Sequence, residues 1–206
     1  MSPSSRACIV LIAFLAASPV ALAMNNYDDP RTILSYMDPS LAGARDILRV
    51  TTAIAGDEFV VFQVKTREEG AGSGKGDYAL LQLWQDRSHL LLIPLAPELG
   101  EGVLHYEGAK LSAGASHTLT GGELGAASGA SAFTARRIPR GVEFVVPLAW
   151  LDYGKKMGFD AYTVRGRPVG DGFVIEEVLD RAAKGRPEER LISPIMLLNN
   201  LCATRR

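Results

Sequence analysis

The sequence predicts an all-β protein, a single-domain antiparallel β-sandwich of the jelly-roll-like type with about nine strands. Short runs rich in β-branched and aromatic residues recur along the chain, and turn residues separate them. No long stretch has apolar residues at the helical period, so extensive helix is not expected. The predicted strands are residues 47–55, 59–66, 78–85, 89–95, 103–111, 131–138, 142–148, 159–166 and 173–180.

The first two predicted strands form a hairpin. The run "ILRVTTAIA" (47–55) is followed by "GDE" and then by "FVVFQVKT" (59–66). Two β-rich runs around a short Gly-Asp turn are typical of a β-hairpin. Alternation along the second strand places Val60, Phe62 and Val64 on one face, where they are expected to enter the core.

The middle of the chain continues the pattern with two strongly apolar strands. "YALLQLWQ" (78–85) and "HLLLIPL" (89–95) are separated by "DRS", and "VLHYEGAKL" (103–111) follows. The next segment, 112–132, is dominated by Gly, Ala and Ser. Such a composition buries little surface and is entropically costly to order, so we expect a mobile loop with one weak edge strand in "HTLTGGEL".

The C-terminal half supplies a second hairpin and the remaining strands. Residues 131–138 and 142–148 flank a Pro-Arg-Gly turn, and a short helix is expected around Leu148–Met157. Strands 159–166 and 173–180 follow. Period-two alternation predicts this core: Val60, Phe62, Val64, Leu81, Leu83, Phe144, Val146, Leu148, Phe159, Tyr162 and Val164.

The first 23 residues have the features of a secretory signal peptide. Arg6 precedes an apolar run, and "ALA" at 21–23 provides a cleavage site with small residues. The expected mature domain is therefore 24–206, located in the periplasm or secreted, with no later segment apolar enough to span a membrane. Only Cys202 remains after cleavage, so the mature chain has no internal disulfide.

The charge balance argues against a nucleic-acid partner. Of the 22 basic residues only Arg6 is removed with the leader, and all 23 acidic residues remain, which gives a net charge of −2. A nearly neutral domain has no electrostatic reason to bind a polyanion.

The glycine-rich stretch "EGAGSGKGDY" (69–78) resembles a phosphate-binding loop at first sight. The spacing requires Gly at position 69 and Ser or Thr at 76, but the chain has Glu69 and Gly76, and a strand follows where a helix is needed. We therefore interpret the stretch as a hairpin loop in which Lys75 and Asp77 are solvated.

No assembled catalytic motif is present, so the sequence predicts a protein that is not an enzyme. The nucleophile elbow and the zinc-protease motif are both absent. No metal site and no cofactor are predicted. Two alternatives stay open at this point: a structural calcium bound by Asp38, Asp46, Asp171 or Asp180, and a haem bound by histidines and methionines. The candidate haem ligands are His89, His105, His117, Met37, Met157 and Met196.

Three stretches carry a resemblance to a known group of domains. They are "MDPSLAGARDILRVTTAIAGDEFVVFQV" (37–64), "GVEFVVPLAWLDYGKKMGFDAYTV" (141–164) and "VLDRAAKG" (178–185). The chain resembles the carbohydrate-binding-module family nine-like and DOMON-like β-sandwiches in three features. A strand ends in Val-Pro, a corner containing Leu follows it, and the last stretch contains an Asp, a small residue and a Gly. The resemblance implies a module that binds sugar or haem, or that accompanies a larger secreted enzyme.

The aromatic residues are the candidate ligand-binding groups. Sugar rings present apolar C–H faces that stack on aromatic side chains, so Trp84, Tyr78 and Tyr106 are the predicted stacking residues, with Gln82 and His105 binding hydroxyl groups. Alternation places Tyr78, Gln82 and Trp84 on one face of their strand, which must be open to act as a site.

The predicted function is thus an exported binding module for a carbohydrate or another cell-envelope component. The alternatives are a haem-binding redox module and a scaffolding protein that binds another exported protein.

Overall fold

The computed structural model describes residues 31–69, 74, 76–100, 102–108, 111, 117–119, 123–125, 133–152 and 154–183. The predicted all-β class is confirmed: the chain forms two antiparallel sheets arranged as a β-sandwich. The strands are β1 (Thr32–Leu34), β2 (Ile47–Ala55), β3 (Phe59–Thr66), β4 (Asp77–Trp84), β5 (Ser88–Pro94), β6 (Val103–Glu107), β7 (His117–Leu119), β8 (Glu123–Gly125), β9 (Thr134–Ile138), β10 (Gly141–Pro147), β11 (Gly158–Val169) and β12 (Gly172–Ala182).

The smaller sheet has five strands in the order β1-β2-β3-β10-β9. The predicted β2–β3 hairpin is its centre, and β10 pairs with β3 so that Phe144 lies opposite Phe62. The β9–β10 hairpin closes through Arg140, which has a left-handed φ of 52°, and Gly141. A Cβ on Gly141 would lie 2.0 Å from the Val64 carbonyl oxygen, so only glycine fits there.

The larger sheet has seven strands in the order β7-β12-β11-β4-β5-β6-β8 and is nearly barrel-like. Its long strands β11 and β12 pair with register shifts at Thr163/Val164 and at Arg165/Gly166. Such irregularities bend a strand and increase its twist, which helps a sheet to curl.

The main core lies between the two sheets. Alternate residues of β3 and β10 face alternate residues of β4, β5 and β11, as the period-two pattern predicted. Phe62 and Phe159 meet edge to face across the gap at a centroid distance of 5.3 Å. Nine of the eleven predicted core residues belong to this cluster: eight are buried in it, and Leu148 packs against it partly buried.

A second core covers the other face of the seven-stranded sheet. It contains the two remaining predicted core residues, Tyr162 and Val164, together with apolar residues of opposite parity on β4 and β5. Tyr78 and Phe173 meet edge to face in it at 4.7 Å. Both faces of the central strands are therefore buried.

Two expectations about local structure were wrong. The helix expected around Leu148–Met157 is limited to one 3-10 turn, Leu148–Trp150, after which the chain turns into β11. Asp77 is not solvated: it is fully buried and forms ion pairs with Arg45 at 2.7 Å and Arg165 at 3.4 Å.

Several sequence predictions fall outside the described residues. These are the signal peptide 1–23, Lys75, the side chain of His117, Cys202 and most of the expected loop 112–132. Within that last segment, β7 and β8 are the described parts, where one weak edge strand was expected.

Candidate functional site

A pocket of about 490 Å³ opens between the β4–β5 turn and the segment that joins β10 to β11. Its volume falls within the range of about 300–1,000 Å³ that is typical of small-molecule sites. Four ring-bearing side chains lie deepest in it: His89, His105, Phe133 and Trp150. The charged lining residues are exposed and surround the opening: Asp86, Arg87, Glu107, Asp152 and Lys155.

Two histidines from neighbouring strands are hydrogen-bonded to each other in this pocket. His89 is the second residue of β5 and His105 lies on β6, and the ladder places them diagonally, with His89 opposite Glu107. The Nδ1 atom of His89 lies 3.1 Å from the Nε2 atom of His105. One of the two rings must donate the proton of this bond and the other must accept it.

Trp150 stacks on both imidazoles. Its ring centroid lies 4.4 Å from that of His89 and 4.9 Å from that of His105, with interplanar angles of 17° and 22°. The 3-10 turn after β10 presents the indole, and Leu151 donates its backbone N–H to the Leu148 carbonyl to close that turn. The three rings form a nearly parallel group.

Phe133 completes the apolar side of the pocket. It is buried immediately before β9, and its ring is tilted against both His105 and Trp150 at centroid distances of 4.9 and 5.4 Å. An aromatic group of this kind buries a large area and holds its members in fixed orientations.

Ion pairs occupy the rim. Arg87 lies 3.3 Å from Glu107, and Lys155 is paired with Asp86 and lies 3.7 Å from Asp152. All five side chains are more than half exposed, so solvent screens these ion pairs and they add little to stability. The rim groups are therefore held loosely and are free to exchange one partner for another.

Gln85 joins the two segments that border the pocket. Its side-chain amide donates to the carbonyls of Asp152 at 2.9 Å and Lys155 at 3.2 Å. Its side-chain oxygen accepts the backbone N–H of Asp152 at 2.8 Å. These three hydrogen bonds fix the spacing of the two backbone segments in the pocket wall, while the charged side chains of the rim extend into solvent.

The environment of His89 favours the neutral imidazole. Burial, with a smaller contribution from the nearby His105, lowers its pKa from 6.5 to about 4. At neutral pH the His89 ring is therefore uncharged and can serve as a hydrogen-bond donor, an acceptor or a metal ligand.

Of the five residues predicted to bind a ligand, only His105 borders this pocket. Tyr78, Gln82 and Tyr106 are buried, with 7%, 5% and 2% of their surface exposed. The two tyrosines belong to the second core, and burial raises the pKa of both phenols. The face that Tyr78 and Gln82 share is therefore closed to a ligand in this structure.

Trp84 lies at the end of β4 and is half-buried. It is paired with Gly158 of β11, and a Cβ on that glycine would lie 2.3–2.6 Å from three atoms of the indole. The indole therefore rests directly on the backbone of the neighbouring strand, and it borders a smaller cavity that shares His89 and Trp150 with the large pocket.

Trp150, Phe133 and Glu107 were not among the predicted site residues, and His89 was considered only as a haem ligand, although the sequence carries one signal for the two histidines. His89 precedes Leu91 by two positions, and His105 follows Val103 by two, so both occupy inward-facing positions of strands whose other inward residues are apolar. A polar residue at a core position is costly and is therefore a useful sign of function.

The carboxylates weighed for calcium are arranged differently from a cation site. Asp46 is fully buried and ion-paired with Arg67 at 2.9 Å, while Asp180 accepts backbone N–H groups of Ile47 and Arg181. Burial raises the pKa of Asp180. Within the described residues, no three His, Cys, Asp or Glu side chains are placed so that they hold a metal ion as they stand.

The two pocket histidines are also not placed as opposing haem ligands. Axial ligands lie on opposite faces of the porphyrin, whereas these two nitrogens are hydrogen-bonded directly to each other.

Comparisons of the chain with protein-family models, with curated proteins and with solved structures gave no match. What is established is therefore the class that the fold defines, a β-sandwich, and the likeness to the family nine-like and DOMON-like domains stays a prediction. None of the helical segments in the described part of the chain has the length and apolarity needed to cross a bilayer.

Proposed function

We propose that the chain is an exported, non-catalytic binding module and that its pocket beside the β4–β5 turn takes a carbohydrate. The observation that carries this proposal is the group of parallel rings formed by His89, His105 and Trp150 inside a pocket with a polar rim. Rings of this kind suit the apolar C–H face of a sugar, and loosely paired charged groups suit its hydroxyls.

The rim charges favour a neutral sugar over an acidic one. The two cations, Arg87 and Lys155, are each paired with a carboxylate of the same rim, and three carboxylates face only two cations. An anionic glycan would meet the net negative charge of the rim, while a neutral polyol can bridge donors and acceptors without separating charge.

A binding role agrees with the chemistry of the lining. Among the described residues that line the pocket, none is Ser, Thr or Cys, and His89 is already hydrogen-bonded to His105. Catalysis by a hydroxyl or thiol nucleophile needs such a group beside its base, and that pairing is not formed there.

The direct test is a screen of soluble neutral, acidic and amino oligosaccharides against the purified mature protein, followed by titration calorimetry of any hit. Arg87→Ala should weaken binding by about tenfold, since one hydrogen bond to a polar ligand is worth about 1–1.5 kcal/mol. Arg167→Ala is the matched control, because Arg167 is also exposed and paired with a glutamate but does not line the pocket.

The outcomes separate the possibilities. Equal binding by both variants would move the site elsewhere, and a screen without any hit would overturn the carbohydrate assignment. A Soret band in protein purified with haem supplied would instead favour the haem alternative.

Export is a separate part of the proposal and has its own test. Cleavage after Ala23 predicts that the mature chain begins at Met24. Intact-mass analysis of the protein from the producing cell's envelope and medium decides it, and retention of residues 1–23 would contradict export by a cleaved leader.

A further inference from the structure

We propose that His89 and His105, with Glu107, form a binding site for a divalent first-row transition metal such as Zn²⁺ in the pocket. The proposal goes beyond carbohydrate binding and does not depend on it. It rests on the positions of the three side chains on one face of the β5–β6 pair.

The spacing of the two histidine nitrogens is that of neighbouring metal ligands. Bonds of about 2.0–2.1 Å place two nitrogens about 3.3 Å apart at a tetrahedral angle and about 2.9 Å apart at a right angle. The observed separation of 3.1 Å lies between these values. Binding requires that the donor ring change tautomer, its proton passing through solvent to the other nitrogen of the same ring. Both rings must also turn, because their inner nitrogens now point at each other and the lone pairs must converge on a metal beside the line that joins them.

The third ligand comes from the same ladder. Glu107 lies directly opposite His89 and two residues beyond His105, so all three side chains project from the same face. The Glu107 carboxylate is now turned to Arg87 at 3.3 Å, in a pair whose members are 52% and 79% exposed. An exposed pair of this kind is weak, so the carboxylate can rotate toward the histidines with little loss of stability.

The surroundings provide support and access. Trp150 and Phe133 hold the two imidazoles in place, which reduces the entropy lost when a metal binds. The pocket reaches solvent and leaves room for water or a ligand oxygen at the remaining coordination positions. Two imidazoles and one carboxylate suit Zn²⁺ and similar ions, whereas Ca²⁺ and Mg²⁺ prefer oxygen ligands.

The test uses tag-free mature protein that has been treated with a chelator. Calorimetry should show one Zn²⁺ per chain and no heat with Mg²⁺ or Ca²⁺. His105→Gln should abolish binding, and Glu107→Gln should weaken it about tenfold or more. Glu176→Gln is the matched control, because Glu176 is likewise an exposed glutamate paired with an arginine on the neighbouring strand and should leave affinity unchanged.

A second readout does not depend on variants that may lose the fold. Cu²⁺ bound between the histidines would lie beside the Trp150 ring and should quench its emission in the otherwise unaltered protein, with Trp150→Phe losing that part of the quenching. Absence of Zn²⁺ and Cu²⁺ binding by the wild-type protein would overturn the proposal, as would equal affinity of the Glu107 and Glu176 variants. Glycan titrations run in chelator keep this result distinct from the test of carbohydrate binding.

Discussion

The main core makes a quantitative prediction for Phe144→Ala. Phe144 is fully buried on the central strand β10, where its register partners are Phe62 on β3 and Ala135 on β9. Both neighbouring strands are hydrogen-bonded along their length, so the site cannot collapse freely around a smaller side chain. The lost transfer energy is about 2 kcal/mol, and a residual cavity of about 100 Å³ at about 24 cal/mol per Å³ adds about 2.4 kcal/mol.

The expected loss is therefore about 4 kcal/mol of the free energy of unfolding. For a domain whose total stability is about 5–15 kcal/mol this is a large fraction, and it corresponds to a fall in melting temperature of about 8–16 °C. Urea denaturation followed by far-UV circular dichroism measures it. Val145→Ala is the control, since Val145 is the next residue of the same strand, points to the other side and is half exposed.

The control should lose less than about 1 kcal/mol. A loss below about 1.5 kcal/mol for Phe144→Ala, or equal losses for both variants, would mean that the gap between the sheets is less tightly filled than the burial of Phe144 indicates.

Two further predictions test local packing and charge. Gly158→Ala should destabilise the protein by about 1–3 kcal/mol and alter tryptophan emission, because the new methyl group overlaps the Trp84 indole. Gly102→Ala, whose Cβ meets nothing within 4 Å, should leave both unchanged, and a neutral Gly158→Ala would refute this placement of Trp84. Glu143→Gln should cost about 1–2 kcal/mol at neutral pH. Burial would raise the Glu143 pKa, but hydrogen bonds from Gln63 and Arg136 lower it overall, so its contribution is present above pH 4.5 and lost as pH falls through the lower folded-state value. Urea midpoints at pH 7 and pH 3 should therefore differ less in the variant than in the wild type, and parallel pH profiles would contradict the argument.

The strands of the sandwich were predictable because their signal is local. Alternation in "FVVFQVKT" places Val60, Phe62 and Val64 on one face whatever the rest of the chain does, and the structure buries all three. The short strands β1, β7 and β8 have only three residues each, too few for a period-two pattern to stand out.

The sequence also contains evidence for the second core, and this evidence argues against an aromatic face on β4 that is open to solvent. In "YALLQLW" and "HLLLIP" apolar residues occupy both parities, as Leu80 and Leu81 do on β4. A nearly continuous apolar run is typical of a strand that is buried on both faces. That pattern predicts that Tyr78 and Gln82 are enclosed, as the structure has them, and it argues against their binding a ligand.

The pocket could not be assembled from the sequence. His89 and His105 are 16 positions apart, and Trp150 follows β10, which belongs to the other sheet. Their meeting depends on strand order, which period and propensity do not specify. The sequence does place both histidines at inward-facing positions of their strands. Knowing in addition that β5 pairs with β6 would be enough to predict that they meet.

The burial of both faces of the seven-stranded sheet also explains where the pocket lies. Both cores block access to the middle of β4 and β5. A pocket can therefore open only near the strand ends, where the connecting segments of the two sheets are separated. The β4–β5 turn and the segment after Trp150 meet these conditions, and Gln85 fixes their separation through backbone groups. The rim side chains Asp86, Arg87 and Lys155 take no part in either core. Substitutions among them are therefore expected to alter the charge of the pocket opening while the sandwich keeps its stability.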